Sequence, residues 1–128
     1  MPDKLKILVI DDEPIVGKRL VPALEKSGFQ VEFCNTGGDG IKRINEEQFD
    51  IVVTDVRMDD VDGIEVLSRV MEKSPRTKVI IITGFATIEI ARTAKAKGAF
   101  DFIAKPFKPG DLRNTIQRAA EALAAEKR

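Results

Sequence analysis

Four short runs of mainly apolar residues, rich in isoleucine and valine, constrain the fold of this chain more than any other feature. They occupy residues 7–10, 51–54, 79–82 and 100–104. Such runs are typical of strands buried on both faces, as in a parallel sheet covered by helices. A fifth strand, more polar and alternating, is predicted at residues 30–35 and indicates a sheet edge. The pattern predicts an α/β protein.

Segments with helical periodicity separate the predicted strands, so five strands alternate with five helices. The helical segments are residues 14–28, 38–47, 63–74, 87–97 and 109–126. Pro22 lies inside the first of them and is expected to bend it. Such alternation predicts a doubly wound, three-layer α/β/α domain with a five-stranded parallel sheet. The flavodoxin-like strand order 2-1-3-4-5 is the arrangement we expect.

Each of the four apolar runs ends on a reactive group. Asp11 and Asp12 follow the first run, Asp55 the second, Thr83 the third and Lys105 the fourth. Ligands of open α/β sheets bind beyond the carboxyl ends of the strands, so these groups are expected to meet. Three adjacent carboxylates raise one another's pKa unless a cation compensates them. Oxygen ligands without histidine favour a hard ion, Mg²⁺ or Mn²⁺.

The acidic residues also have purely structural interpretations. Asp12 precedes the first helix and is suited to cap it. Asp55, Asp59, Asp60 and Asp62 could form a solvated loop. A calcium-binding loop is excluded, because Arg57 occupies the third ligand position and Asp60 stands where glycine is needed.

Composition excludes several classes of function. The chain has no histidine, which rules out Ser-His-Asp triads, histidine-ligated zinc and a histidine phosphocarrier. A single cysteine, Cys34, rules out an internal disulfide framework. Twenty-one basic and 21 acidic side chains give no net charge, which argues against wholesale electrostatic binding to nucleic acid or membrane. Without a signal-like or membrane-spanning apolar stretch, we expect a cytoplasmic protein.

The reactive groups have a shared chemistry. A carboxylate can attack a phosphoryl group and form an aspartyl phosphate. Phosphoryl transfer needs mainly positioning and neutralisation of the oxygens. A divalent ion on Asp12 and Asp55 would hold one oxygen, the Lys105 ammonium a second and the Thr83 hydroxyl a third. No general base for rapid hydrolysis is evident, which favours a lasting covalent state over turnover.

With these groups at the ends of its strands, the chain resembles the receiver domain of two-component response regulators. The resemblance lies in ILVIDDE at residues 7–13, VVTDVRMDDVDG at 52–63, IIITG at 80–84 and FIAKPF at 102–107. It covers nearly the whole chain and implies a single receiver domain over residues 1–128, with a core at about 4–122. Residues 119–128 are expected to form a helical tail or the start of a linker. The stretch after Thr83 is similar to receivers attached to nitrogen-regulator-like AAA+ transcriptional activators.

The resemblance implies a role for each acidic residue at the site. Asp55 would accept a phosphoryl group from a sensor histidine kinase. Asp11, Asp12 and Asp55, together with the backbone carbonyl of Arg57, would bind Mg²⁺. Asp59 departs from the family pattern, which usually has proline there, so a looser and more acidic loop is expected.

The resemblance also implies a switch. Thr83 would move toward the phosphate, and Phe102, where the family often has tyrosine, would turn inward to fill the space. The bond between Lys105 and Pro106 is expected to be cis, which is otherwise the minority state. The protein would be a phosphoacceptor that promotes its own phosphorylation and slow autodephosphorylation, and not an enzyme that turns over substrate.

The predicted output is the surface of helix 4, strand 5 and helix 5. Residues 89–118 carry 7 basic and 3 acidic side chains. This surface is expected to bind an output domain or a partner protein, or to pair two copies as a homodimer on phosphorylation. A merely solvated face is the alternative.

Two other classes of protein compete with this interpretation. An aspartyl-nucleophile phosphohydrolase of the haloacid dehalogenase type needs a second aspartate two residues after the nucleophile, where this chain has Arg57. A flavodoxin-type electron carrier needs a phosphate loop after the first strand and aromatic residues against the flavin. The carboxylates of Asp11, Asp12 and Glu13 would repel a phosphate, and the chain has no Trp or Tyr.

Overall fold

A computed structural model describes residues 4–84 and 87–126 of the chain. Within these residues strands and helices alternate, as predicted, and their bounds differ from the predicted ones by at most two residues. The elements are β1 (Lys6–Ile10), α1 (Pro14–Lys26), β2 (Gln30–Cys34), α2 (Gly37–Glu46), β3 (Ile51–Asp55), α3 (Gly63–Lys73), β4 (Lys78–Thr83), α4 (Ile88–Ala96), β5 (Asp101–Ala104) and α5 (Pro109–Glu126).

The five strands form one parallel sheet in the order β2-β1-β3-β4-β5, which confirms the predicted fold class. β2 lies at one edge, as its polar pattern predicted, and β5 lies at the other. The strand order reverses beside β1, because β2 lies on one side of it and β3 on the other. The carboxyl ends of β1 and β3 are therefore neighbours, which positions the residues that follow them.

A separate hydrophobic cluster covers each face of the sheet. Val9 and Val53 pack into the cluster that contains Leu20 of α1 and Ile116 of α5. Alternate strand residues point the other way, into a cluster with Leu67 of α3 and other side chains of α2, α3 and α4. Because both faces are covered, the central strands have no solvated side, and their sequences are mainly apolar.

Helix α1 corrects one of the structural interpretations. The residue that precedes its first turn is Glu13, and Pro14 is its first residue. Asp12 therefore does not cap α1. The carboxylate that accepts the backbone N–H of Glu13 belongs to Asp11, at 2.9 Å. The helix continues through Pro22, whose side chain is exposed.

Two single residues have a particular backbone or burial. Gly98 follows α4 with a φ of 105°, the left-handed conformation that glycine tolerates best at the end of a helix. Cys34 is half-buried at the end of β2, and burial, with smaller contributions from Glu32 and Asp39, raises the pKa of its thiol to about 11. Among the described residues no helix is long and apolar enough to cross a membrane.

Candidate functional site

The carboxyl edge of the sheet brings together three of the predicted acidic residues. Asp11 and Asp12 follow β1, and Asp55 is the last residue of β3. One carboxylate oxygen from each residue lies within 4.8 Å of the others. Asp11 is fully buried and Asp55 is 5% exposed, whereas Asp12 is half-buried. Three carboxylates this close, with two of them shielded from water, require a positive charge nearby.

Lys105 supplies that charge. Its Nζ atom donates hydrogen bonds to Asp11 at 2.7 Å, to Asp55 at 2.9 Å and to Glu13 at 2.9 Å. Burial acts to lower the pKa of Lys105, but the bonds to the three carboxylates outweigh it and raise that pKa above its usual value. The ammonium group is therefore charged at every physiological pH. It stands beside the Asp55 carboxylate.

Burial has the opposite effect on the acidic neighbours. It raises the pKa of Asp11, although the bonds from Lys105 and the Glu13 backbone partly offset it. Burial also raises the pKa of Asp12, and the charges of Asp55 and Asp59 add to the effect. Negative charge is thus in excess around the site, and a cation that neutralises it would bind favourably.

The donor set fits Mg²⁺. The ion prefers carboxylate, carbonyl and water oxygens, and it usually binds through one or two carboxylates. Asp11, Asp12 and Asp55 offer such oxygens. The Arg57 backbone, expected to provide a carbonyl, lies in the same loop as Asp55, and its N–H donates to Asp55 Oδ1 at 3.3 Å. Arg57 and Asp59 also line an open cleft of about 420 Å³ with Asp12 and Asp55.

Thr83 and Phe102 occupy the two neighbouring strands on the far side of Asp55. Thr83 is the last residue of β4 and is fully buried. Its carbonyl accepts the backbone N–H of Lys105 at 2.8 Å, which ties the two strand ends together. Phe102 on β5 is half-buried and packs against the cluster that contains Ile81 and Ala94. The Lys105–Pro106 bond is cis.

Two residues at the site were not identified from the sequence. Glu13 is a third carboxylate partner of Lys105, and its position directly after Asp11 and Asp12 was a usable signal. Asp60 accepts backbone N–H groups at the start of α2, at 3.0 Å from Gly37 and 2.8 Å from Gly38. The Gly-Gly pair was the available signal, since glycine at a helix start permits close approach. Nothing in the spacing indicated Asp60 as its partner.

Comparison with known proteins places this geometry in a family. The profile of the response regulator receiver domain matches residues 7–117. Regulatory protein AtoC of Escherichia coli K12 is 34% identical over 122 residues, which are 95% of this chain and 26% of that protein. Response regulator receiver protein CpdR of Brucella abortus is 35% identical over 113 residues, which are 88% of this chain and 94% of that protein. The chain thus spans about a quarter of AtoC but most of CpdR.

A solved structure of a receiver domain is also similar to this chain. The beryllofluoride-activated NtrC4 receiver domain, solved as a dimer in solution, is 36% identical and has a TM-score of 0.86. The match covers 92% of this chain and 98% of that one. Relatives of the chain therefore include activators of the nitrogen-regulator type, as the stretch after Thr83 predicted.

Proposed function

The chain belongs to the response regulator receiver family, and we propose on that basis that Asp55 is its phosphoacceptor. Phosphorylation on aspartate is the general function of this family, whose members are signalling switches and partners of histidine kinases. The observation that carries the assignment is the position of Asp55. Its carboxylate lies 2.9 Å from the Lys105 ammonium and within 4.8 Å of two further carboxylates.

In the proposed reaction one carboxylate oxygen of Asp55 attacks the phosphorus of phosphohistidine on a sensor kinase. The N–P bond breaks, and the imidazole retains the electron pair. Receiver domains generally bind Mg²⁺, and Asp11, Asp12, Asp55 and the Arg57 carbonyl would hold it here. The ion supplies positive charge for the oxygens of the transferred group.

Two further residues of this chain act on the same group. Lys105 keeps its positive charge and needs only a small displacement to exchange a carboxylate oxygen for a phosphoryl oxygen. The Thr83 hydroxyl would bind another oxygen, and Phe102 would then turn inward to fill the space that Thr83 leaves. Such a local change becomes a signal when it biases an element with two arrangements.

We infer that the element is α4, with β5 and α5 beside it. Ala94 is the buried residue of α4, and Ile88 at its start is 71% exposed, so the helix is weakly anchored to the sheet. The α4-β5-α5 surface would contact an output domain or a partner protein, or a second copy of the chain. The match covers only 26% of AtoC, which is consistent with a receiver that contacts an output domain. It covers 94% of CpdR, which is consistent with a receiver that contacts a partner protein.

The same geometry bears on how long the phosphoryl group would last. The carboxylates beside Asp55 would repel an incoming hydroxide ion. Lys105, the cation beside it, is protonated and cannot act as a base. We therefore propose that the protein promotes its own phosphorylation but loses the group slowly. A phosphohydrolase of the haloacid dehalogenase type is disfavoured, because Arg57 replaces the acid/base residue that such an enzyme needs two positions after its nucleophile.

Intact-mass spectrometry tests the assignment directly. The protein is incubated with acetyl phosphate and Mg²⁺, and a mass increase of one phosphoryl group is expected. The increase should be absent in Asp55→Asn and on chelation of the metal, and present in Asp50→Asn, whose carboxylate lies at the opposite end of β3. An unmodified wild-type protein, or rapid turnover of many phosphate esters, would contradict the proposal.

A further inference from the structure

Asp60 fastens the loop between β3 and α3 to the beginning of another helix. Its Oδ1 atom accepts the backbone N–H of Gly37 at 3.0 Å, and its Oδ2 atom accepts that of Gly38 at 2.8 Å. Gly37 and Gly38 are the first two residues of α2. Asp60 Oδ1 also accepts the N–H of Val61 at 2.8 Å, which fixes the orientation of the carboxylate. We call this arrangement the Asp60 clasp.

The close approach depends on the two glycines. A Cβ atom on Gly37 would lie 2.8 Å from Val61 Cβ and 2.9 Å from the Val61 carbonyl oxygen. A Cβ atom on Gly38 would lie 3.0 Å from Asp60 Oδ2. All three distances are below normal contact. A side chain at Gly37, which would meet the Val61 backbone, would force the loop away from α2, and one at Gly38 would displace the Asp60 carboxylate.

Helix α2 already has a cap of its own. The Thr36 side chain accepts the N–H of Asp39 at 3.1 Å, which is the usual way to satisfy a donor at a helix start. Asp60 satisfies two further donors, Gly37 and Gly38, from a different part of the chain. These bonds, first of all the one from Gly38, lower the pKa of Asp60, so the carboxylate stays ionised and attracted to the positive end of the helix.

The far end of the same loop is also held. Asp62 caps α3 by accepting the N–H of Ile64 at 2.6 Å, and the N–H of Gly63 donates to the Val56 carbonyl at 2.8 Å. Between Val56 and Asp60 lie the residues that line the cleft at the acidic site, Arg57, Met58 and Asp59. The position of this segment therefore depends on Asp60 on one side and on β3 on the other.

We propose that Asp60 is a positioning residue that sets the affinity of the acidic site for Mg²⁺ by holding the loop at residues 57–61 in place. The inference rests on the proposed function, since it concerns the same metal site. With the clasp intact, the loop that carries the Arg57 carbonyl is held in place before a cation arrives, with the Arg57 N–H bonded to Asp55. Without it, the loop must be ordered during binding, and the lost conformational freedom weakens the affinity.

Asp60→Ala removes the clasp, and Thr36→Ala is its matched control. Each variant removes side-chain acceptors from the start of α2, so both are expected to lower the unfolding midpoint, and Asp60→Ala by more because a charged acceptor of two donors is lost. The Thr36 bond does not reach the loop at residues 57–61. A defect in Mg²⁺ binding that appears in Asp60→Ala alone would therefore come from the loop and not from a weaker helix.

Isothermal titration of the whole chain with MgCl₂ gives the decisive readout, because it needs no phosphorylation. We expect the Mg²⁺ dissociation constant of Asp60→Ala to rise by about tenfold, the lower end of what outer groups around a metal usually contribute. Asp60→Asn keeps one acceptor oxygen and should fall between Asp60→Ala and the wild type. Thr36→Ala should bind Mg²⁺ as the wild type does.

Phosphorylation by acetyl phosphate provides a second readout. At saturating Mg²⁺, Asp60→Ala should reach the wild-type extent of modification, whereas at low Mg²⁺ its rate should fall by the same factor as its affinity. Wild-type affinity in Asp60→Ala, or an equal loss in Thr36→Ala, would overturn the inference and leave the proposed function standing. A wild-type protein that binds no Mg²⁺ would overturn both.

Discussion

At the scale of single residues, Lys105 and the carboxylates around it define the resting site. Lys105 donates to Asp11, Asp55 and Glu13 at once. The charge of Asp12 is compensated least. Burial and the charges of Asp55 and Asp59 raise the pKa of Asp12, and Lys105 opposes them only weakly. Removal of the Asp12 charge should therefore stabilise the protein in the absence of a divalent ion.

We expect Asp12→Asn to raise the free energy of unfolding by about 1 kcal/mol at neutral pH without Mg²⁺, the size of a close like-charge repulsion in water. The folded-state pKa of Asp12 lies above its ordinary value of 3.8, so the carboxyl group favours folding below that pH, and this contribution is lost as the pH rises through the folded-state pKa. The advantage of the variant should thus be absent below pH 3.8 and grow above it.

Urea unfolding across a pH series measures this effect. Glu121→Gln, which removes an exposed carboxylate from α5, is the control and should not raise the free energy of unfolding at neutral pH. Addition of Mg²⁺ should reverse the order of stability, because binding to the folded state stabilises the wild type and Asp12→Asn has lost a ligand. An Asn variant that is less stable than the wild type in the presence of chelator would contradict this account.

At the scale of elements, the junction between β3 and α3 determines where Asp55 lies. Helix α3 begins at Gly63, and a Cβ atom there would overlap the Asp55 carbonyl oxygen and lie 2.8 Å from Val56 Cα. These are backbone atoms, which cannot move aside as a flexible side chain can. The close approach of α3 to the end of β3 therefore requires glycine at position 63.

Gly63→Ala is expected to lower the free energy of unfolding by about 3 kcal/mol, at the upper end of the usual cost of overpacking. It should also slow phosphorylation by acetyl phosphate, because the strain falls on the Asp55 backbone. Gly110→Ala in the first turn of α5 is the control. A Cβ atom there meets only the end of the Arg113 side chain, at 3.7 Å, so this variant should be neutral or slightly stabilising. Equal stability of the two variants, measured in urea, would contradict the argument.

At the scale of the whole molecule, one sheet joins two hydrophobic clusters. Ile116 of α5 packs on one face and Leu67 of α3 on the other, and both side chains are fully buried. The strands contribute alternate residues to the two clusters. Loss of packing on one face would therefore expose strands whose other side chains hold the second cluster together. The domain should therefore unfold as a unit.

Ile116→Ala and Leu67→Ala test this coupling. Each should lower the free energy of unfolding by about 2–5 kcal/mol, because each leaves a cavity in a packed cluster. Urea unfolding is followed by circular dichroism in the far ultraviolet, which reports the helices of both layers. Each variant should show a single transition, and the slope of the free energy of unfolding against urea concentration should be unchanged. Two resolved transitions in either variant would show that the layers unfold separately.

Much of the fold could be predicted from the sequence because the patterns that indicate it are local. Residues 7–10, 51–54 and 79–82 are apolar except for Thr54 since their strands are covered on both faces, and the reactive groups follow them directly. The parallel orientation of strands then brings these ends to one edge. The error over Asp12 has a local cause as well, because a carboxylate two positions before Pro14 resembles a cap, whereas in the structure Glu13 precedes the first turn of α1 and no side chain caps the helix.

The sequence by itself determined the alternation of strands and helices, the edge position of β2 and the residues gathered at the carboxyl edge. Only the tertiary structure decided which loops meet there. Lys105 and Glu13 are 92 residues apart, and Asp60 and Gly38 are 22 apart. Such contacts leave no period or spacing in the chain, because they depend on how the turns beyond the strand ends pack against one another.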